Sequence, residues 1–129
     1  MSAPLSAFVF TPELAVRAIP LLRSIATDLR AATVELASLR HTPETAVRAA
    51  RQGALSRVLL ECTRELDQIG CVFKGFHEGH ALFDFPARLE GRPVFLCWRA
   101  DETTVSHYHE VDRGFAQRRP LVPIGAIPG

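Results

Sequence analysis

The sequence has few cysteines, and their spacing does not identify a site. Cys62, Cys71 and Cys97 are odd in number and far apart, and they include no Cys-x-x-Cys pair. A disulfide framework and a thiolate zinc knuckle are therefore not expected. The pattern is typical of buried thiols in a reducing cytosol. Because Cys97 lies in an apolar run, we expect its burial to keep it an inert thiol.

The 129-residue chain also lacks segments that would direct it to a membrane. Its first residues have neither a basic segment nor a long apolar one, which argues against a signal peptide. No run approaches the ~18 apolar residues that suggest a membrane span. Because the net charge is only +1, we do not expect nucleic acid as the main partner. These absences predict one soluble, cytoplasmic domain.

The first half of the chain has the signals of two helices. Thr11 can cap the first, and Pro12 and Glu13 suit its first turn. The apolar positions that follow, with the helical spacing of threes and fours, are Leu14, Ala18, Leu21, Ile25, Leu29, Ala32, Leu36 and Leu39. Pro20 interrupts this stripe. It predicts a short N-terminal part, a kink, and then a long helix to about Leu39.

A second helix is predicted from about Pro43 to Ile69, with Gly70 ending it in a left-handed conformation. Its apolar stripe is Val47, Ala50, Ala54, Val58, Cys62, Leu66 and Ile69. The connection between the helices has only a few residues. The two helices should therefore form a long antiparallel hairpin, spanning residues 11–69 with its connection.

After Gly70 the apolar period becomes strand-like. Strands are predicted at 71–76, 81–85, 93–100 and 103–110, and Pro86 should end the second or mark it as an edge. Short turns between strands predict an antiparallel meander. The fold class is therefore α+β: a helical hairpin followed by a four-stranded antiparallel sheet over 71–110. Residues 111–121 should form a loop that completes a single domain, 1–121. The Pro- and Gly-rich residues 122–129 should be a flexible tail.

The long hairpin extends beyond what so small a sheet can cover. We therefore expect a homodimer, in which two coiled-coil-like hairpins form a four-helix bundle. The alternative is a monomer whose hairpin folds back over its own sheet. With no complete catalytic constellation in the sequence, the leading hypothesis is a dimeric interaction or scaffold protein whose protein or small-molecule partner is unknown.

Three stretches resemble a bacterial family known as domain of unknown function 2203 (DUF2203). They are FTPELAVRAIPLLRSI, LFDFPARLEGRPVFLCWRADE and HYHEVDRGFAQRRPL, and together they span about residues 10–121. Two residues depart from the family pattern: Tyr108 replaces a tryptophan and Gln117 a glycine. The resemblance implies no reaction. It marks as motif positions Asp84, Arg92, Trp98, His109, Glu110 and Arg118.

The rival hypothesis is an enzyme or ligand-binding module with a polar pocket around Asp84, His109, Glu110 and Arg118, to which Arg92 is added as a ligand-binding candidate. On a strand, His107 and His109 should share one face, with Tyr108 and Glu110 on the other. With Asp84 as third ligand, the two histidines make a candidate metal site. The alternatives are a structural network of Asp84, His109 and an arginine, and an anion pocket.

An anion pocket would depend on arginine, which binds carboxylate or phosphate through a two-pronged fork. The arginines available near the predicted sheet are Arg88, Arg92, Arg113, Arg118 and Arg119. They could instead pair with Asp84, Glu110 and Asp112. No GxGxxG or GKS/T motif is present. The sequence therefore identifies neither a cofactor nor a catalytic residue. The histidines of the His77–His80 turn are expected to be solvated.

Overall fold

A computed structural model of the chain describes residues 9–121. Its two helices are α1, Pro12–Leu39, and α2, Ala46–Ile69; its five strands are β1, Val72–His77, β2, His80–Leu89, β3, Arg92–Arg99, β4, His107–Glu110, and β5, Arg119–Pro120. The α+β class is confirmed, but the expected four strands are wrong. The fifth strand has only two residues, one of them proline, and so gives no periodic signal. The predicted tail, 122–129, lies outside the described residues.

Helix α1 begins where the sequence predicts. The hydroxyl of Thr11 accepts the backbone N–H of Leu14 at 3.1 Å, and Pro12 occupies the first turn. The helix then continues through Pro20 without interruption, so the expected separate N-terminal part is wrong. Proline removes one backbone hydrogen bond. Ile19 and Leu22, buried on either side of it, keep this stretch packed as a helix.

The buried face of α1 also differs from the predicted one at its start. Ala15, Ile19 and Leu22 are buried there, whereas Leu14 and Leu21 are 40% and 49% exposed. The sequence offers two apolar positions side by side at 14–15 and 21–22. Hydrophobicity alone cannot choose between them, because either choice keeps the helical spacing.

Helix α2 begins at Ala46, three residues later than Pro43, the predicted start. The hydroxyl of Thr45 accepts the N–H of the third helical residue at 3.1 Å. The alternative cap, Thr42, instead donates its hydroxyl to a carbonyl at the end of α1. The predicted end is confirmed, since Gly70 has φ 92° and ψ 20°. No residue between 46 and 54 is buried within the single chain.

The five strands form an antiparallel meander in the order β1-β2-β3-β4-β5. Two tight turns set its register: Glu78-Gly79 and Glu90-Gly91 have positive φ at both positions, as a two-residue type I′ hairpin requires. β4 is shorter than expected, because 101–106 form a loop instead of extending the strand. No helix among residues 9–121 is long and apolar enough to cross a bilayer.

The sequence predicts that Pro86 ends β2 or marks it as an edge. In the structure Pro86 lies within β2, at a point where β1 no longer pairs with it. β1 pairs with β2 only as far along β2 as Asp84. Pro86 therefore lies beyond the part of β2 that β1 borders. On this side the Pro86 carbonyl accepts the N–H of Phe10 at 2.7 Å. In an antiparallel strand, the nitrogen and carbonyl of one residue face the same side. The missing N–H of Pro86 is therefore one that the β-sheet does not need.

The two faces of the sheet have different surroundings. On the face we call the helix face, Phe83, Phe85, Leu96 and Trp98 are fully buried in one core with residues of α1. Alternate residues of the same strands point to the opposite face. This second face, the polar face, carries Asp84, Cys97 and His109, and all three are buried as well.

The segment 111–121 covers part of the polar face. It returns along β4 through β5, and its Phe115 ring lies 4.4 Å from the ring of His77 and 4.2 Å from the Arg118 guanidinium, centre to centre. Gln117, which replaces a glycine of the family pattern, accepts the N–H of Gly114 at 3.1 Å. The short 3-10 helix Phe115–Gln117 thus forms without a glycine at 117.

Candidate functional site

Three side chains with metal-binding atoms converge on the polar face. The register places Asp84 of β2 directly opposite Cys97 of β3, and His109 comes from β4. Their relative exposures are only 3%, 1% and 3%. One ligand atom from each, a carboxylate oxygen, a thiol sulfur and an imidazole nitrogen, lies within 4.8 Å of the other two.

His109 is fixed at both ring nitrogens. Nδ1 lies 2.8 Å from the carbonyl oxygen of Glu110. A carbonyl can only accept, so Nδ1 carries a proton. Nε2 lies 2.9 Å from a carboxyl oxygen of Asp84. One further proton is therefore shared along this contact, either on Asp84 beside a neutral imidazole or on an imidazolium beside the carboxylate.

Asp84 is held in a setting that disfavours its charge. Burial raises the pKa of its carboxyl above the usual range, although the charge and hydrogen bond of His109, the charge of Lys74 and the contact with Cys97 oppose the shift. A buried carboxyl with this many compensating partners holds its position in the fold, because each hydrogen bond lost would leave a buried polar atom unsatisfied.

Cys97 completes the cluster and carries an unreactive thiol. Burial and the neighbouring Asp84 carboxylate raise the pKa of this thiol to about 12, although Arg118 acts in the opposite direction. A protonated, buried thiol is a poor nucleophile. As a soft ligand that can lose its proton to a metal ion, the same thiol is chemically well suited.

Arg118 contacts Cys97 and not Asp84. Its guanidinium donates two hydrogen bonds to the carboxylate of Glu102, at 3.0 and 2.5 Å, and acts to lower the pKa of the neighbouring Cys97 thiol. Burial would raise the pKa of Glu102, but Arg118 and the backbone N–H of Arg99 outweigh it, and the net shift is downward. Glu102 and Arg118 thus form an oriented ion pair at one side of the cluster.

The other candidates from the sequence are not members of this three-residue cluster. The Arg92 guanidinium donates to both carboxyl oxygens of Glu110, at 2.9 and 3.0 Å, in a partly exposed pair. His107 contacts the hydroxyl of Ser106 through Nδ1 at 3.0 Å. Of the four residues of the predicted polar pocket, the structure brings Asp84 and His109 into contact; Arg118 reaches the cluster only through Cys97, and Glu110 only through its backbone.

Cys97 is a member of this site that the sequence motifs do not predict. It lies within the apolar run VFLCW, which predicts an inert, buried thiol. One signal in the sequence could have identified Cys97 as a member. In a hairpin with the two-residue turn Glu90-Gly91, strand residues at equal distances before and after the turn pair with each other. Asp84 and Cys97 are each six positions from that turn and so become direct neighbours.

The histidines of the β1–β2 turn belong to a separate group around Arg99. Its guanidinium binds both oxygens of Asp101, at 2.6 and 2.9 Å, and also contacts His77 Nδ1 at 2.9 Å. His80 Nε2 lies 3.8 Å from Asp101. Both histidines are partly exposed, and each also lies near at least one charged side chain of the protein.

The chain belongs to the DUF2203 family, described as an uncharacterized conserved protein, whose pattern it matches over residues 9–121. The resemblance stated from the sequence motifs is therefore confirmed. No protein with a curated description and no solved structure matches the chain.

Proposed function

We propose that this protein binds a single divalent transition-metal ion, with zinc the best fit, through Asp84, Cys97 and His109. The observation that carries the proposal is the convergence of their three ligand atoms within 4.8 Å of one another at a buried point. Thiolate, imidazole and carboxylate are the ligands that zinc takes in proteins. The proposal retains His109 and Asp84 from the site suggested by the sequence and adds Cys97.

The orientation of His109 supports this proposal. Metal-bound histidines usually donate their second ring N–H to a carbonyl or carboxylate, which fixes the ring and directs the other nitrogen to the metal. The contact of Nδ1 with the Glu110 carbonyl has this form. Nε2 is then directed to the point where Asp84 and Cys97 also meet, and a metal ion would replace the shared proton.

The surroundings of Cys97 also fit a bound thiolate. Arg118 lies close enough to Cys97 to oppose the rise in the pKa of its thiol, and Glu102 holds Arg118 through two hydrogen bonds. A cation next to a metal-bound thiolate offsets its charge, while Glu102 offsets that of Arg118. When bound, the metal would link three strands of one sheet, and it could supply a Lewis acid if a coordination position stayed open.

Three protein ligands leave one of the four tetrahedral positions of zinc for another group. His107 is directly opposite Cys97 in the ladder between β3 and β4, so its side chain leaves the same face. We therefore treat His107 and a water molecule as the two occupants to be distinguished. Replacing His107 by alanine should weaken metal binding in the first case and leave it nearly unchanged in the second.

Titration with Co²⁺ tests the proposal, because a cobalt–thiolate bond gives an absorption band that other ligands do not. We expect a one-to-one complex with this band in the wild type and its loss in Cys97→Ser. Cys62→Ser is the matched control, since Cys62 is equally buried but lies in α2. Zn²⁺ should displace the cobalt.

Two results would contradict the metal proposal. One is a wild-type protein that binds neither Co²⁺ nor Zn²⁺ after chelation and refilling, and the other is a thiolate band that persists in Cys97→Ser. If His109→Gln binds the metal as tightly as the wild type, the metal is bound but His109 is not one of its ligands, and the proposed ligand set is wrong.

We also propose that the protein acts as a homodimer through its helical hairpin, as expected of an interaction protein. The observation in favour is that the outer part of the hairpin is exposed. Residues 46–54 include no buried position, and Val34 and Val47 are 58% and 79% exposed. Helices that are stable in a small protein usually bury an apolar stripe. A second copy of the hairpin would supply the missing surface.

Sedimentation velocity tests the dimer. We expect a concentration-dependent dimer that Val34→Glu together with Val47→Glu shifts to monomer. Val111→Glu is the control, since Val111 is similarly exposed but lies beyond β4. A wild type that stays monomeric at high protein concentration would contradict the dimer without affecting the metal proposal.

The cytoplasmic location also stays a prediction, which the three free cysteines favour.

A further inference from the structure

A cavity on the helix side of the sheet lies apart from the proposed metal site. It occupies about 240 Å³ between α1, the β1–β2 turn and the end of β3. Two arginines of α1, Arg23 and Arg30, line it together with His80. We propose that this cavity binds the phosphate group of a small metabolite. The proposal does not rest on metal binding.

Arg23 has a fixed position in the cavity wall. Its guanidinium donates to the carbonyl oxygens of Ala100 at 3.1 Å and Glu102 at 3.0 Å, and its central carbon lies 5.5 Å from the centre of the Trp98 ring. These contacts use two of its five N–H groups. The remaining donors keep their direction without any further ordering of the side chain, which favours binding of an anion.

Arg30 provides a second charge from the same helix. It follows Arg23 by seven residues, about two helical turns, so both side chains leave the same side of α1. Within residues 9–121, Arg30 has neither a hydrogen-bond partner nor an ion-pair partner. Gly79 faces it from the turn, and a Cβ there would lie 3.7 Å from Nη2 of Arg30. The absent side chain leaves room beside the guanidinium.

The charge around the cavity is positive. None of its lining residues in the described part of the chain is acidic, and the rest of the wall is formed mainly by small residues such as Ala26 and Ala81. The nearest carboxylate to His80 is that of Asp101, at 3.8 Å. Asp101 is already engaged by Arg99 through two hydrogen bonds. An anion in the cavity would therefore meet donors that lack a partner.

The geometry points to phosphate rather than to a large ligand. Two guanidinium groups present planar pairs of N–H donors that match the oxygens of a phosphate group. The cavity is smaller than the ~300–1,000 Å³ of pockets that enclose drug-sized ligands. It suits the phosphate alone, and the rest of a phosphate monoester would extend into solvent.

Thermal shift and calorimetry with inorganic phosphate and glycerol phosphate test this proposal. We expect both probes to raise the Tm of the wild type, and Arg30→Gln to weaken their binding by at least about tenfold, since a charge-assisted pair is lost. Arg17→Gln is the matched control, because Arg17 is an exposed arginine of α1 that does not line the cavity. It should bind as the wild type does.

The comparison of the two probes identifies the ligand class. Tighter binding of glycerol phosphate would assign the site to a phosphate monoester, and equal binding to the phosphate group itself. The same titrations are then repeated in the Cys97→Ser background, in which phosphate cannot act by removing a metal ion. Equal affinity in Arg30→Gln and Arg17→Gln, or equal stabilisation by acetate, would overturn the proposal.

Discussion

The helix face and the polar face belong to the same strands, yet different interactions stabilise them. On the helix face, Phe83, Leu96 and Trp98 have no exposed surface and pack against α1. On the polar face, Asp84 and His109 are almost as deeply buried but are joined by one hydrogen bond of 2.9 Å. The first face contributes through apolar area removed from water. The second must satisfy every buried polar atom merely to avoid a cost.

The two faces therefore differ in what they contribute to the stability of the fold. A core of large apolar side chains on one side allows the other side to hold polar groups whose net contribution is small. We infer that the helix face determines whether the protein folds, and that the polar face holds the proposed metal ligands. The predictions below test that division, beginning with the largest effect.

Removing a large side chain from the helix face should have the greatest effect. Phe83→Ala should lower the free energy of unfolding by about 3–5 kcal/mol, because it leaves a cavity in the core. Phe76→Ala, on β1, is the control and should cost much less, since Phe76 is 37% exposed. Urea unfolding measures both. Similar losses in the two variants would show that depth of burial on the helix face does not determine the loss of stability.

On the polar face, the pair Asp84 and His109 should show coupling. Each alanine variant should lose about 1–3 kcal/mol, because it leaves a buried polar partner unsatisfied. The double variant should lose less than the sum of the two single losses. A double-mutant cycle in metal-free protein measures this coupling. Strictly additive losses would mean that the contact between the two side chains contributes nothing.

The ion pair beside the cluster should give a pH-dependent effect. Glu102 has a lowered pKa in the folded protein, so its stabilising effect is present above its ordinary pKa of 4.5 and is lost as the pH falls through the folded value. Glu102→Gln should cost about 1–2 kcal/mol at neutral pH. The difference from the wild type should shrink below about pH 4.5. A difference that is constant with pH would refute the pairing.

The smallest effect concerns the connection between the two helices, away from both faces. Thr45→Ala removes the cap of α2 and should cost about 1 kcal/mol. Thr42→Ala should cost less, because its hydroxyl caps no helix start. Cobalt binding should be the same in both variants. A loss of metal binding in Thr45→Ala would indicate that the hairpin and the polar face are not independent.

Much of the fold could be predicted because apolar period and turn residues carry it. The helix end at Gly70 and the order of helices and strands follow from such local signals. The interior position of Pro86 could not, because it depends on β1 starting at Val72 and on Phe10 coming from far along the chain. The two-residue strand β5 is likewise created by pairing with β4 and not by its own residues.

The site was harder to predict than the fold because it depends on register. Asp84 and His109 were named from the sequence, but Arg118 was expected beside Asp84 and pairs instead with Glu102. The apolar residues around Cys97 predict a core position for it, although the Glu90-Gly91 turn determines that its partner is Asp84. A one-residue change in register would have moved Cys97 to the helix face.

X-ray absorption at the zinc edge of the zinc-loaded protein tests the central claim most directly, because it counts the atoms bound to the metal by element and distance. We predict one sulfur at about 2.3 Å, from Cys97, with nitrogen and oxygen ligands at about 2.0–2.2 Å. Cys97→Ser should remove the sulfur, and Cys62→Ser should not. A zinc shell without sulfur, or with two or more, would contradict the assignment of Asp84, Cys97 and His109 as the metal site.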